Sequence, residues 1–79
     1  MSKVVDAVAR KQKEMKLTEK ETAKMLGISR PTLYLLKKGK RRPELGFYCA
    51  VVAVFDDLKW LVYQEIEEIG RETIKRITQ

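Results

Sequence analysis

Residues 17–43 read LTEKETAKMLGISRPTLYLLKKGKRRP, and the punctuation of this stretch decides the fold. Thr18 with Glu21 three positions on is a capping-box pattern. The threonine hydroxyl accepts from the Glu21 amide, and the Glu21 carboxylate accepts from the Thr18 amide. A helix is therefore predicted over 19–26, with Ala23 and Leu26 as its main buried contacts and Met25 partly so. Gly27 ends it, because glycine enters the left-handed backbone region at least cost. The chain restarts almost at once. Ser29 is a favoured N-cap, and Pro31 falls in the first turn, where a missing amide proton costs little. A helix over 30–38 follows, with Leu33 and Leu36 facing inward and Gly39 as its stop. Lys37 and Lys38 in the last turn suit the negative end of its dipole.

Outward from this pair, Val4, Val5, Val8 and Met15 share one helical face with Lys and Arg opposite, which predicts a helix over 3–15 capped by Ser2. After Pro43, the run Phe47 to Phe55 has no clear period. Its β-branched residues lean toward strand, whereas its length and neighbours favour a helix over 44–55. Asp56 or Asp57 can cap a fifth helix over 58–69 or beyond, with Leu58, Leu61, Val62, Ile66 and Ile69 as an apolar stripe and Trp60 and Tyr63 beside it. Glu67/Arg71 and Glu72/Arg76 are i,i+4 pairs with the acid first, supporting helix on both sides of Gly70. Gly70 reads as a kink, a stop or a close-packing point. The expected architecture is all-α, five helices in one domain spanning 1–79, with the last segment as a C-terminal helical extension.

The chain has 79 residues, 17 Lys and Arg against 11 Asp and Glu, no His and one Cys. Without His there is no Ser-His-Asp triad and no Cys/His dyad. A single Cys leaves no disulfide framework or zinc finger. No metal or cofactor set is expected, there is no Gly-rich phosphate loop, and an enzyme is not expected. Cys49, inside an apolar run, reads as a small buried hydrophobe. The longest apolar run has nine residues, too short to cross a membrane. A lone thiol and the lack of a secretory pattern fit the cytoplasm. The charge is uneven: residues 1–43 carry 13 cations and 4 anions, whereas 44–79 carry 4 cations and 7 anions. The first half suits a polyanion surface, most sharply at Lys37, Lys38, Lys40, Arg41 and Arg42. Taken alone, such a run is as readily a solvated loop.

Two short helices joined by Gly27-Ile28-Ser29 make a helix-turn-helix. Leu17-Thr18 with Glu21, Ala23 at the crossing, Leu26-Gly27-Ile28-Ser29, the Leu33/Leu36 pair and the Gly39-Lys40-Arg41-Arg42-Pro43 exit are in register. This stretch resembles the Cro/CI-type, XRE-like helix-turn-helix repressor family. The resemblance implies double-stranded DNA as partner, with helix 30–38 in the major groove. It implies base contact by Arg30, Pro31, Tyr34 and Leu35, and backbone contact by Thr18, Thr32, Lys38, Lys40, Arg41 and Arg42. Arg30 can bridge two acceptors of guanine; the plainer alternative is a surface arginine bonded to the second helix. Glu19 stands where the family often places Gln, and is expected to pair with Arg30 and orient it. Leu35 offers only apolar contact, to a thymine methyl or inward. Thr22 replaces a usual apolar residue, which lightens the core beneath.

The apolar second half suggests a partner. One reading is that the two last helices bury each other. The other is a two-fold homodimer through 57–79, with Trp60, Leu61, Tyr63, Ile66 and Ile69 at the interface. The function expected is a dimeric, sequence-specific transcriptional repressor from a phage, plasmid or similar element. The alternative on the same fold is an interaction module or antitoxin-like partner that binds another protein through 44–79.

Overall fold

A computed structural model describes residues 2–78 as α1 (Lys3–Glu14), α2 (Glu19–Leu26), α3 (Arg30–Lys37), α4 (Leu45–Val54), a 3-10 turn at Asp56–Leu58, and α5 (Lys59–Thr78). Among these residues there is no strand. The local signals act as their chemistry requires. Ser2 Oγ accepts from the Val5 amide at 3.1 Å. Thr18 and Glu21 close both arms of the capping box at 3.0 Å. Gly27 ends α2 at φ 68°, and the Ile28 amide reaches back to the Ala23 carbonyl. α1 ends without glycine: Lys16 takes φ 55°, and the amides of Lys16 and Leu17 bond the Lys13 and Gln12 carbonyls. The two orphan carbonyls so satisfied offset the cost of a left-handed lysine.

The core gathers Val4, Val5 and Val8 of α1 with Leu26, Leu36, Phe47, Tyr48, Val51, Phe55 and Val62. Thr22 is fully buried, and its hydroxyl donates to the Thr18 carbonyl at 2.9 Å. A polar side chain thus sits in the core without an unmet hydrogen bond. α4 is helix, not strand, and only its Phe47, Tyr48 and Val51 side is buried. Cys49, expected inside, is exposed. Two residues past Phe47 lies about 200° round a helix, so a run apolar on all sides must turn some of its side chains to water. Leu45 is exposed for the same reason.

α5 runs unbroken through Gly70, so that residue is neither stop nor break. The expected stripe divides. Leu58 and Leu61 lean on the core and Val62 is buried, but Ile66 and Ile69 are exposed. The innermost position one turn past Leu61 and Val62 is instead Glu65. Its carboxylate accepts from Ser2 Oγ and Tyr48 OH, both at 2.5 Å, and from the Val4 amide at 3.2 Å. It fastens the start of α1 to α4 and α5, and it sits favourably at the positive end of the α1 dipole. Burial pushes the Glu65 carboxyl up; the bonds from Ser2, Tyr48 and the amides of Val4 and Lys3 together outweigh it and hold it below the ordinary range. Burial and the neighbouring carboxylate push the Tyr48 phenol up.

Glu65→Gln turns one acceptor oxygen into a donor facing donors, and is expected to cost about 1–3 kcal/mol in urea unfolding at pH 7. A lowered folded pKa means that the carboxylate stabilises fully above the unfolded value. The advantage over Glu65→Gln should therefore shrink only as pH falls below about 4.3, through the folded value. An advantage that persists unchanged into stronger acid would contradict this role.

Candidate nucleic-acid interface

α3 is anchored from behind and open in front. Leu33 and Leu36 are buried, so the opposite face of the helix must turn outward. Ser29 caps it, accepting from the Thr32 amide at 3.2 Å and donating to Thr32 Oγ1 at 2.8 Å. The Thr32 hydroxyl keeps its proton for an outside acceptor. Arg30, Pro31 and Tyr34 are exposed and Leu35 is half-buried. These four, with Glu19 from α2, line one open concavity on the surface. The four expected base-contacting residues are therefore brought together at the N-terminal end and outer face of one helix. Leu35 is the most withdrawn of them.

The residues expected to contact phosphates are arranged around this face. Thr18 stands at the start of α2 with its hydroxyl oxygen on the Glu21 amide. Lys38 lies with Nζ 5.6 Å from the Tyr34 ring centroid, a cation–π distance. Gly39 turns the chain at φ 71°, and Lys40, Arg41 and Arg42 follow it in exposed loop. Arg41 is 3.7 Å from Glu44. Arg41 and Arg42 also meet Ser29 and Thr32 around a second groove that opens between the α2–α3 turn and the start of α4. Cations from the loop and hydroxyls from the α3 cap thus converge, although nine to thirteen positions separate them in sequence.

Glu19 departs from expectation. Its carboxylate is held by Lys37 Nζ and by Gln12 Nε2. The Lys37 bond, chiefly, pulls its pKa below the ordinary carboxylate range, and Arg30 contributes only through its field. The expected Glu19–Arg30 pair is thus replaced by Glu19–Lys37. Lys37 is at the far end of α3, where two helical turns bring it back alongside the start of α2, and it compensates the acid at closer range. Gln12, which donates to Glu19 and accepts from Lys37 at 3.1 Å, is the third member, from α1. No local pattern in the sequence marks it, since its partners lie seven and twenty-five residues away. The cluster ties α1, α2 and α3 together, with Glu19 in the wall of the concavity, and leaves Arg30 without an ion-pair partner among the described residues.

No group of acids, Cys or His suited to a metal occurs among the described residues, and no helix there is long and apolar enough to cross a membrane. A family model described as helix-turn-helix matches residues 8–61, from the middle of α1 into the first turn of α5. No curated protein and no solved structure matches the chain. With the capped α2–α3 pair inside that span and the Arg30, Pro31 and Tyr34 face turned outward, the chain belongs to the XRE-like, Cro/CI-type helix-turn-helix family of DNA-binding regulators.

Proposed function

We propose that this protein is a sequence-specific repressor that binds double-stranded DNA as a homodimer, in the cytoplasm, and acts by occupying its site. The observation that carries the reading is the outward face of α3. Arg30, Pro31 and Tyr34 are exposed there on a helix whose other side is locked down by Leu33 and Leu36. α3 enters the major groove, which is wide enough for a helix. Arg30 reads guanine through its two-pronged donor face, and Tyr34 and Leu35 pack on sugar or a thymine methyl. Pro31 sets the close approach of the first turn. Thr18, Thr32, Lys38, Lys40, Arg41 and Arg42 take phosphates. Glu19, neutralised by Lys37, stays in the groove wall without repelling the backbone as a bare carboxylate would.

The dimer reading is supported by α5, where Trp60, Tyr63, Ile66 and Ile69 are all exposed. Leu61, which leans on this chain's own core, drops out of that set. Leu45 and Cys49 on α4 are exposed as well, which favours a protein contact on the second half in addition to DNA.

The test is salt. Affinity for a mixed-sequence duplex should fall linearly with log salt concentration. Replacing Lys38, Lys40, Arg41 and Arg42 together with Gln should flatten the slope by about 3–4, near one unit per phosphate lost. All four are surface residues, so folding should be kept, as circular dichroism can verify. An unchanged slope would remove this loop from the interface, and no duplex binding at any salt would reject the DNA reading.

A further inference from the structure

Glu19 is the one acid in the concavity that it shares with Arg30, Pro31, Tyr34 and Leu35. Its two oxygens are not used alike. Lys37 Nζ and Gln12 Nε2 both donate to Oε1, and Gln12 in turn accepts from Lys37 at 3.1 Å. The triangle closes on that oxygen, and Oε2 accepts no hydrogen bond among the described residues. Of the three members only Glu19 lines the concavity, and 39% of its side chain is exposed, so an outside donor can reach it. The held oxygen keeps the carboxylate in place, and the lysine bond keeps it ionised. Beside the cation of Arg30, this face therefore offers a placed, charged acceptor with capacity to spare.

We infer that Glu19 reads the amino group of a cytosine in the major groove, accepting from its N4 through Oε2. The inference rests on the DNA reading above and adds a second base contact to it. The choice of cytosine follows from what a duplex offers. Phosphates carry only acceptor oxygens and negative charge, so they repel this group. Base edges in the major groove present two donors, cytosine N4 and adenine N6. Adenine sets the acceptor N7 beside its amino group, where a carboxylate is repelled; cytosine has only a C–H there. Guanine and thymine turn the acceptors O6, N7 and O4 into the groove, and the same charge rejects them. Lys37 is what suits an acid to this wall. It compensates the charge through Oε1 and leaves the directional acceptor in place. Arg30 and Glu19 thus divide one concavity between a donor that takes guanine and an acceptor that takes cytosine.

The test is selection of the wild type, Glu19→Gln and Glu19→Ala on one pool of random duplexes. Titration follows at one fixed salt concentration, on duplexes carrying each base in turn at the responding position. Both substitutions leave the Thr18–Glu21 cap in place, and circular dichroism with urea unfolding verifies the fold; Glu19→Gln, which keeps the size of the side chain, decides alone if the alanine variant is unstable. The wild type should bind the cytosine duplex about tenfold more tightly than the others, as one hydrogen bond to a charged group allows. Glu19→Ala should make that position indifferent. Glu19→Gln keeps an oxygen for Lys37 but sets an amide donor where Oε2 was, so cytosine should become the least favoured base there. The guanine assigned to Arg30 should stay enriched throughout. An enriched site without cytosine, or cytosine retained in the variants, would overturn the assignment while leaving the DNA reading standing. Loss of every preferred base together would also overturn it, by making Glu19 a residue that places α3 rather than one that reads. A wild type with no enriched sequence would overturn both.

Discussion

Arg30→Ala is expected to weaken binding to the preferred site by about 5- to 150-fold, the equivalent of roughly 1–3 kcal/mol for one two-pronged guanine contact. Binding to mixed-sequence duplex should change by less than about twofold. The two numbers must be measured together, by anisotropy titration at one fixed salt concentration. Arg30 is exposed, and among the described residues it makes no ion pair, so its removal takes nothing from the fold. If it held a phosphate instead, both affinities would fall in parallel, because phosphate contacts position the protein without reading sequence. Arg30→Lys sharpens the test. Lysine keeps the charge but lacks the planar fork, so most of the discrimination should still be lost. Equal losses on both duplexes would reassign Arg30 from base to backbone.

The second large effect is on stability. Leu33 is fully enclosed on a helix that packs against α1 and α2. Leu33→Ala should cost about 2–5 kcal/mol from lost burial and the cavity left behind. A domain of this length has a total stability on the order of 4–12 kcal/mol. One side chain is therefore a large part of the whole, and the melting temperature should fall by about 10 °C or more. Urea unfolding at pH 7 gives the free energy, and calorimetry the melting temperature. Where the variant is still folded, its preferred sequence should be unchanged, since Arg30 and Tyr34 keep their places on the outer face. A loss below about 1 kcal/mol would mean that α3 is anchored elsewhere.

Much of this arrangement is legible in the sequence because its signals are local. The capping box at Thr18, the glycine stops at Gly27 and Gly39, and the Ser29-Pro31 start each act within four residues of chain. Together they set α2 and α3 in register and turn Arg30 outward. What escapes a linear reading depends on distant partners. Glu65 lies among other glutamates, and nothing nearby distinguishes it, since its partners Ser2 and Tyr48 are 63 and 17 residues away. Glu19 has two cations within reach, and only the packing of α3 on α2 shows that Lys37 takes it. Cys49 looks buried because its whole neighbourhood is apolar, and periodicity has no purchase on a segment without a polar side. Gly70 reads as a kink, a stop or a close-packing point, yet the helix passes through it and nothing outside that helix's own backbone lies within 4 Å of where a side chain would start.

In the proposed function α3 reads a base sequence, and two copies do so together. Affinity selection of the purified protein on a pool of random duplexes, followed by sequencing, tests it most directly. The expected result is enrichment of an inverted repeat whose half-sites lie about one helical turn apart, roughly 34 Å, with guanine at the position Arg30 reaches. Salt-sensitive retention of all duplexes alike, with no enriched sequence, would contradict it.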